Sequence, residues 1–419
     1  MALSFEQSLE RYADVVVRIG VGLQKGQRLV VRASVETAPF TRAAVAAAYR
    51  AGARMVDVLW TDDQVDLARF RLAPRDSFDE FPTAVPNALL ASGERGDAVL
   101  SVYATDPTLL KDQDPELVAK TDKARQTYLM PFSKKISGKE VNWCVASAPI
   151  PSWAGQVFPD LSAEAAVRKL WEEIFRTCRI DRPDPVAAWE THIADLARRR
   201  EQLDRKQYAA LRFRSPGTDL TVGLPDRHHW LGGRSDTVRT NIPFVANLPT
   251  EEVFTTPHKD RVDGVVRATK PLAHAGKLVE GFELRFEKGR VTSIKAEKNQ
   301  AVLEKLVETD EGAHRLGEVA LVPHGSPISK SGILFFNTLF DENASCHVAL
   351  GRSYRICVVG GENMNDEEFA RAGGNDSLAH VDFMIGSAQT DIDAVAKDGK
   401  VEPLMRAGEW VTSAVAATA

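Results

Sequence analysis

The first half of the chain alternates short apolar runs with helix-like segments, and this alternation restricts the possible folds more than any other feature. Apolar runs of strand length occupy residues 29–32, 55–60, 98–103 and 142–148. Segments with helical character occupy residues 37–50, the stretch after Asp62, 115–127 and 162–176. Strands that alternate with helices pair in parallel, in a sheet that helices cover on both faces. The pattern therefore predicts an α/β N-terminal domain with a parallel sheet, over residues 1–206.

The pattern changes past Tyr208, where strands follow one another with few helical segments between them. Short strand-like runs occupy residues 211–214, 219–224, 262–269, 283–287 and 290–296. The sequence therefore predicts a second domain over residues 207–419, which is strand-rich and of the α+β class. The acidic residues and histidines that bear on function fall in this domain.

Charge and cysteine content exclude several classes of protein. Lys plus Arg number 53 and Asp plus Glu number 58, and the resulting net charge of −5 does not suit a protein that binds nucleic acid. The apolar runs fall short of the about 18 residues that a membrane-spanning helix needs, and the first residues lack the pattern of a secretory signal. The cysteines form no Cys-x-x-Cys pair. These features predict a cytoplasmic protein with neither nucleic-acid nor membrane partners.

Three common active-site motifs do not occur in the sequence. Gly20, Gly22 and Gly26 lack the Gly-x-Gly-x-x-Gly spacing of a dinucleotide site, and they precede the first strand instead of following it. There is no His-Glu-x-x-His sequence of the single-zinc proteases. The serines after Pro323 lack the Gly-x-Ser-x-Gly frame of a nucleophilic serine. A dinucleotide site, a site of the single-zinc type and a serine nucleophile are therefore not predicted.

One apolar strand near the end of the chain supplies the first candidate ligands. Side chains on a strand alternate between faces, so His380 and Asp382 share one face and the apolar residues around them share the other. An imidazole and a carboxylate are costly to bury on such a strand unless a partner satisfies them. A divalent cation is one such partner, and a hydrogen bond within the His–Asp pair is the alternative.

A similar pattern is predicted for residues 342–351, which read as another apolar strand. Glu342 and His347 lie in this run, and His347 faces away from Cys346 and Val348. Cys346 is therefore expected to be a small core residue and not a nucleophile.

Two further segments place carboxylates in apolar surroundings. Glu318 lies within an apolar strand, and Glu251 and Glu252 are adjacent in another, where only one of them can face a given site. Together with His347, His380 and their neighbours, the four segments supply enough ligands for two metal ions. Carboxylate and imidazole ligands without thiolates suit Zn²⁺, Co²⁺ or Mn²⁺.

These segments, taken together, resemble a known family. The matching stretches are NLPTEEVFTTP (247–257), LGEVALVP (316–323), DENASCHVALG (341–351) and HVDFMIGS (380–387), with support from GTDLTVGLP (217–225) and YADVVVRIGVGLQKGQRLVV (12–31). Over essentially its whole length the chain is similar to the thermophilic-type metallo-aminopeptidases, the family of aminopeptidases T, S and II.

The resemblance implies a cytoplasmic homodimer that removes N-terminal residues from peptides with a free N-terminus, using two divalent metal ions (Zn, Co, Mn or Mg). The family's metal ligands correspond to Glu252, Glu318, Glu342, His347, His380 and Asp382. The resemblance also implies that Glu318 bridges the ions and that Tyr354 lies near them. In the mechanism it implies, a metal-activated water attacks the peptide, Tyr354 stabilises the oxyanion, and Glu251 or Glu318 carries the proton to the leaving amine.

Two other functions are compatible with some of the same residues. His347, His380 and Asp382 alone could form the facial triad of a mononuclear Fe(II) ring-cleaving dioxygenase, and hydroxypyridine dioxygenases resemble this family. The presence of Glu252 and Glu318, together with a full N-terminal domain, favours the peptidase. A non-catalytic binding protein that keeps the fold and the metals is the third possibility, and the complete ligand set argues against it.

Overall fold

The computed structural model describes residues 3–104, 106, 108–275 and 277–411. The α-helices are α1 (Phe5–Val15), α2 (Ala38–Arg50), α3 (Asp63–Leu72), α4 (Ala84–Arg95), α5 (Pro115–Ser137), α6 (Pro151–Val157), α7 (Ala163–Thr177), α8 (Pro185–Lys206), α9 (Gln300–Val307), α10 (Pro327–Ser331), α11 (Thr338–Asp341) and α12 (Asp366–Arg371). The short 3₁₀ helices are Val35–Thr37, Arg75–Asp79, Gly312–His314, Glu342–Ala344, Arg355–Cys357 and Gly361–Asn363, and a π-helical turn spans Val16–Gly20. No helix in this described part of the chain is both long and apolar enough to span a membrane.

The strands are numbered in the same way along the chain. They are β1 (Arg28–Ser34), β2 (Met55–Thr61), β3 (Ala98–Tyr103), β4 (Trp143–Ser147), β5 (Ala210–Ser215), β6 (Thr218–Gly223), β7 (Arg234–Asp236), β8 (Pro243–Val245), β9 (Asn247–Leu248), β10 (Val253–Thr255), β11 (Val262–Arg267), β12 (Leu272–His274), β13 (Lys277–Val279), β14 (Glu283–Glu287), β15 (Arg290–Lys295), β16 (Leu316–Leu321), β17 (His347–Gly351), β18 (His380–Met384), β19 (Asp391–Val395), β20 (Val401–Arg406) and β21 (Glu409–Trp410).

The described residues divide into two compact units. The first consists of the residues up to His192 together with Arg234–Pro249, and the second contains Ile193–Gly233 and the residues from Thr250 onward. The division falls within α8, and a short later segment returns to the first unit. The boundary predicted at residue 206 lies at the end of α8 and stays a prediction, as do the outer limits at 1 and 419, which lie outside the described residues.

The first unit contains the parallel sheet that the alternating pattern predicts. Its strand order is β2-β1-β3-β4-β9, and every neighbouring pair is parallel. Leu29, Val31 and Leu100 of this sheet have no exposed surface, as expected of strands that are covered on both faces. The predicted strand at residues 98–103 coincides with β3. The α/β class predicted for this part of the chain is confirmed.

The second unit is strand-rich, and its sheets are antiparallel. One sheet has the order β15-β14-β11-β6-β5-β19-β20-β21, and another has the order β10-β16-β17-β18. Apolar side chains from both sheets and from α9 form one core, which includes Phe213, Leu284, Leu303, Val348 and Phe383. The strand-rich α+β class predicted for the C-terminal part is confirmed. The four-stranded sheet is the one that positions the candidate ligands.

Candidate metal centre

One face of the four-stranded sheet carries most of the candidate ligands. Residues that pair directly across an antiparallel sheet lie on the same face. Glu318 of β16 pairs with Ala349 of β17, which in turn pairs with Asp382 of β18. His347 lies two residues before Ala349 and His380 two residues before Asp382, so both histidines share this face. Three strands from distant parts of the sequence therefore present their polar side chains together.

The opposite face of the same strands packs into the core. Val319, Val348 and Phe383 point away from the ligands and are at most 1% exposed. Cys346, which precedes β17, is 2% exposed, as its predicted place in the core requires. Burial of this face fixes the register of the strands, because a shift by one residue would bring the charged face into the core. The core thus determines which side chains can meet on the polar face.

Two overlapping groups of three residues could each hold a metal ion. In the first group, ligand atoms of Glu252, Glu318 and His347 all lie within 4.8 Å of one another. The second group, with the same limit, consists of Glu318, His380 and Asp382. Glu318 is the residue that the two groups share.

The carboxylate of Glu318 faces a different histidine through each oxygen. Its Oε1 is 3.6 Å from Nε2 of His347, and its Oε2 is 3.6 Å from Nε2 of His380. Nε2 of His347 is also 3.1 Å from Oε2 of Glu252, and Nε2 of His380 is 3.8 Å from Oδ2 of Asp382. This placement suits a carboxylate that bridges two cations.

Both histidines are oriented by a backbone carbonyl group. Nδ1 of His347 lies 3.1 Å from the carbonyl oxygen of Ser345, and Nδ1 of His380 lies 2.7 Å from that of Arg352. Because a carbonyl oxygen can only accept, Nδ1 carries the proton in both rings, and a neutral imidazole then has its lone pair on Nε2. Metal-binding histidines commonly have this arrangement. Both lone pairs are directed at the carboxylate cluster.

Two carboxylate oxygens at this site accept no hydrogen bond from the part of the chain that the structure describes. They are Oε2 of Glu252 and Oδ1 of Asp382. The side chains of Glu252 and Asp382 are 9% and 11% exposed, so water reaches them poorly. Burying carboxylates without donors is costly, and a divalent cation with oxygen and imidazole ligands removes that cost. The residues present therefore fit divalent cations.

The pKa shifts in the metal-free site also indicate that the site favours positive charge. Burial raises the pKa of Glu318 to about 7, and the charges of Asp382 and Glu252 act in the same direction while His347 opposes them. Burial alone would lower the pKa of His347, but Glu252 and Glu318 raise it well above its usual value. Without a cation, the site therefore holds protons that a cation would displace.

Tyr354 lies beside the second group of ligands. Its ring centroid is 5.0 Å from that of His380 and 6.0 Å from that of Phe254, and the residue is 38% exposed. The partial burial of the side chain, followed by the charges of Glu318 and Asp382, raises the pKa of Tyr354 well above its usual value. The phenol therefore keeps its proton near neutral pH and can act as a hydrogen-bond donor.

Glu342 lies outside the two groups, and its segment differs from the prediction. Residues 342–351 do not form one strand, because α11, capped by the Asn337 side chain, continues into the 3₁₀ turn Glu342–Ala344 and β17 begins only at His347. Burial, followed by the charges of Glu252 and Asp382, raises the pKa of Glu342 well above its usual value. Glu342 thus adjoins the cluster from a turn and not from the sheet.

Glu251 and Glu252 also lie outside any strand. β10 begins at Val253, so the strand alternation predicted for the two glutamates does not apply to them. Both are buried, with 3% and 7% of their surface exposed. Glu252 belongs to the first ligand group, while Glu251 is tied to the site through its backbone N–H, which donates to Oδ1 of Asn343 at 2.7 Å.

Two residues near the ligands were not singled out by any sequence pattern. Phe254 pairs with Ala320 across the sheet, so it shares the ligand face, and its ring contacts Tyr354. Asn343, which lies in the sequence between Glu342 and β17, is fully buried. The sequence offers one signal for Asn343, which is an amide residue between the candidate ligands Glu342 and His347. Its contacts could not be predicted, because it bonds to Glu251, which is distant in the sequence.

Comparison with known proteins identifies the family. The sequence profile of the family described as thermophilic metalloprotease (M29) matches residues 5–410. Aminopeptidase 2 of Geobacillus stearothermophilus and aminopeptidase AmpS of Bacillus subtilis (strain 168) are each 47% identical to the chain, over 406 and 407 residues. These alignments cover 97% of this chain, and 98% and 99% of the two relatives.

A solved structure agrees with this result. Wild-type AmpT from Thermus thermophilus is similar to the chain with a TM-score of 0.92 and 43% sequence identity, and the match covers 97% of this chain and 100% of that one. The family that the sequence resembles is thereby confirmed, and with it the expected enzyme class, a metallo-aminopeptidase hydrolase. This chain belongs to the thermophilic metalloprotease (M29) family.

Proposed function

We propose that this chain is an aminopeptidase that uses two divalent metal ions to hydrolyse the N-terminal peptide bond of its substrates. The observation that carries the proposal is the position of Glu318, which belongs to two groups of ligands at once. A single ion in one group would leave buried charge in the other without a counterion. The names of the similar proteins, which are aminopeptidases, support the choice of the N-terminal bond.

The ions would be held by side chains from four segments of the second unit. These proposed ligands are Glu252, Glu318, Glu342, His347, His380 and Asp382. Oxygen and imidazole ligands suit Zn²⁺, Co²⁺ or Mn²⁺, and Mg²⁺ is a further candidate for the carboxylates. When bound, such ions lower the pKa of a water molecule and polarise a carbonyl group.

In the proposed mechanism, Tyr354 stabilises the negative charge that develops on the substrate. Its phenol is protonated near neutral pH, for the reasons given above, and its ring lies beside His380. The hydroxyl would donate a hydrogen bond to the oxyanion of the tetrahedral intermediate. A donor that is in place before the reaction stabilises the transition state without a cost of reorganisation.

The proton that the attacking water loses must reach the leaving amine. We assign this transfer to Glu251 or Glu318, both of which are buried carboxylates in the region of the site. A carboxylate can accept the proton from the attacking water and then donate it to the leaving amine. The overall reaction consumes one water molecule and yields a free amino acid and a peptide shortened by one residue.

The substrates of such an enzyme would be peptides with an unblocked N-terminus. A homodimer and a cytoplasmic location, which the sequence resemblance implies, belong to the same proposal. Sedimentation equilibrium of the purified protein measures the first, and fractionation of the source cells measures the second.

The proposal is tested with two leucyl substrates. Purified protein is treated with a chelator, dialysed, and assayed on a leucyl chromogenic amide before and after addition of Zn²⁺ or Co²⁺. Activity should be lost with the chelator and return with the metal. The N-acetylated amide, which lacks the free amine, should not be cleaved. If no unblocked peptide or amide releases a free amino acid in a metal-dependent manner, the proposed function is wrong.

The dioxygenase alternative would use only three of the candidate ligands. A facial triad of His347, His380 and Asp382 would give no role to Glu252, although this buried carboxylate lies 3.1 Å from His347. The metalloprotease family of the chain also disfavours it. Oxygen uptake by the Fe(II)-loaded protein on a hydroxylated aromatic ring would favour the dioxygenase over the peptidase.

A further inference from the structure

We infer that Asn343 is a positioning residue, which holds Glu252 and Glu342 at the metal centre by joining the two segments that carry them. The inference rests on the proposed function, because Glu252 and Glu342 are ligands of the ions proposed there. Asn343 has no exposed surface, and it carries no charge of its own. Its side-chain amide is the group that acts.

The amide of Asn343 contacts both segments. Its Oδ1 accepts a hydrogen bond from the backbone N–H of Glu251 at 2.7 Å. Its Nδ2 donates to the carbonyl oxygen of Leu339 at 3.0 Å and lies 3.5 Å from Oε1 of Glu342. One side chain therefore links the residue before Glu252 to the helical segment that leads into Glu342.

The segment with Glu251 and Glu252 depends on such a link, because it lies outside the sheet. Hydrogen bonds between paired strands fix Glu318, His347 and the β18 ligands. The segment with Glu251 and Glu252 joins this pairing only from Val253 onward. An irregular segment keeps a ligand in place only if other contacts restrict its backbone.

A second contact confines the backbone of Glu252. A Cβ atom on Gly232 would lie 2.4 Å from the carbonyl oxygen of Glu252, so only glycine allows this close approach. Gly232 also has a φ of +144°, which other residues rarely adopt. The close packing excludes movement of Glu252 toward Gly232, and the hydrogen bond to Asn343 restrains the chain one residue earlier.

Asn343 is itself anchored, so it cannot follow a displaced partner. The backbone carbonyl oxygen of Asn343 accepts a hydrogen bond from Oγ of Ser326 at 3.2 Å. Ser326 is 2% exposed and also caps α10 by accepting from the N–H of Ser329 at 3.0 Å. The turn at Glu342–Ala344 is therefore fixed to a neighbouring helix, and Asn343 transmits this position to Glu251.

The expected consequence is selective. Loss of the amide releases Glu252, a ligand of the first group, and loosens Glu342. His380 and Asp382 of the second group are held on β18 by its pairing with β17, which Asn343 does not contribute to. Removing a residue that orients a metal ligand typically weakens metal binding by about 10- to 100-fold. We therefore expect one ion to bind that much more weakly and the other to bind as before.

The test is a calorimetric titration of the metal-free, full-length protein with Zn²⁺. In Asn343→Ala, one of the two dissociation constants should rise by about 10- to 100-fold and the other should stay within about twofold of the wild type. Asn343→Ser keeps a polar side chain, adds no charge and is too short to hold both partners, so the same constant should rise by a smaller factor. If circular dichroism shows that Asn343→Ala does not fold, the zinc titration of this second variant tests the inference instead.

Asn142→Ala is the matched control. Asn142 is 1% exposed, and its amide bonds to Val21 and Gln27 in the first unit. Its loss should lower thermal stability and leave both zinc constants unchanged. Excess Zn²⁺ should restore the turnover of a leucyl amide by Asn343→Ala, because every ligand is still present, whereas a residue that takes part in the chemistry would not be rescued.

The outcomes separate this inference from the function on which it rests. If the wild type binds only one Zn²⁺ per chain, the two-ion function is wrong and the inference falls with it. If the wild type binds two, but Asn343→Ala weakens both equally or neither, the inference alone is overturned. A selective loss in Asn343→Ala that Asn142→Ala does not share supports it.

Discussion

One carboxylate oxygen of Glu318 lies 3.6 Å from Nε2 of His347. Its second carboxylate oxygen lies 3.6 Å from Nε2 of His380 on β18. Paired metal ions in hydrolytic sites are about 3.5–4 Å apart, a separation that a single carboxylate can bridge. The proposed two-ion centre depends on this central position of Glu318.

The substitution Glu318→Gln should remove the proposed bridge between the two ions. An amide nitrogen donates hydrogen bonds and does not coordinate a cation, so binding of both ions should weaken. The turnover number on a leucyl amide should fall by at least about 10³-fold, which corresponds to the several kcal/mol that metal ions contribute to such reactions. The metal content of the dialysed protein is measured by atomic emission. Glu367→Gln, at a side chain that is 88% exposed, serves as the control. Two retained ions with full turnover would show that Glu318 is not a bridge.

The substitution Tyr354→Phe should affect the chemical step alone. Without the hydroxyl, the oxyanion loses a donor, and we expect kcat to fall by about 10²- to 10³-fold with little change in KM or metal content. Tyr208→Phe is a matched control, since it removes a hydroxyl that hydrogen-bonds to Glu402 at 2.9 Å in the same unit. The control should change stability and not kcat. A rise in KM at constant kcat in Tyr354→Phe would place the hydroxyl in substrate binding.

The metal-free protein should lose stability as the pH rises from about 5 to 7. In the folded chain the pKa of Glu318 is about 7, above its usual value of 4.5. The folded state therefore keeps a proton that the unfolded state has released, and the free energy of unfolding falls as pH rises through this window. His347, whose pKa is raised, acts in the same direction. The melting temperature of chelator-treated protein measures the effect.

Metal-loaded protein should show the opposite trend over this pH range, because deprotonated ligands bind cations more tightly. In Glu318→Gln, which cannot titrate at this position, the decline of the metal-free protein should be smaller. A melting temperature of the metal-free wild type that rises between pH 5 and 7 contradicts the prediction.

Two glycines of the first unit should respond differently to replacement by alanine. Both have a positive φ, +61° at Gly22 and +82° at Gly26. A Cβ on Gly22 would lie 1.8 Å from the carbonyl oxygen of Pro243, whereas one on Gly26 would meet nothing within 4 Å. Gly26→Ala should cost about 1–2 kcal/mol, and Gly22→Ala about 2–5 kcal/mol because overpacking is added. Urea unfolding measures both, and equal losses would contradict the contact with Pro243.

Local patterns were sufficient to predict much of the fold. The limits of β3 and the alternation of strands and helices in the first unit follow from apolar runs and breaks within a few residues of one another. β9 could not be predicted in this way, because it has only two residues and joins the parallel sheet through β4, which lies far earlier in the chain. The return of Arg234–Pro249 to the first unit has the same cause.

The site could be predicted to a similar extent. The common face of His380 and Asp382 follows from the two-residue period of a strand, and the structure has them on β18. The period does not hold where the chain leaves the sheet, which is why Glu342 lies in a turn. The role of Asn343 could not be predicted in this way, because its hydrogen bond to Glu251 joins residues that are 92 positions apart.

The number of metal ions needed for turnover tests the two-ion mechanism most directly. Metal-free protein of known concentration is titrated with Zn²⁺, while the release of the N-terminal residue from an unblocked peptide is followed in parallel with dissolved oxygen. The mechanism predicts that activity rises until two ions are bound per chain and that no oxygen is consumed. Full activity with one ion per chain, or oxygen uptake that accompanies turnover, would contradict it.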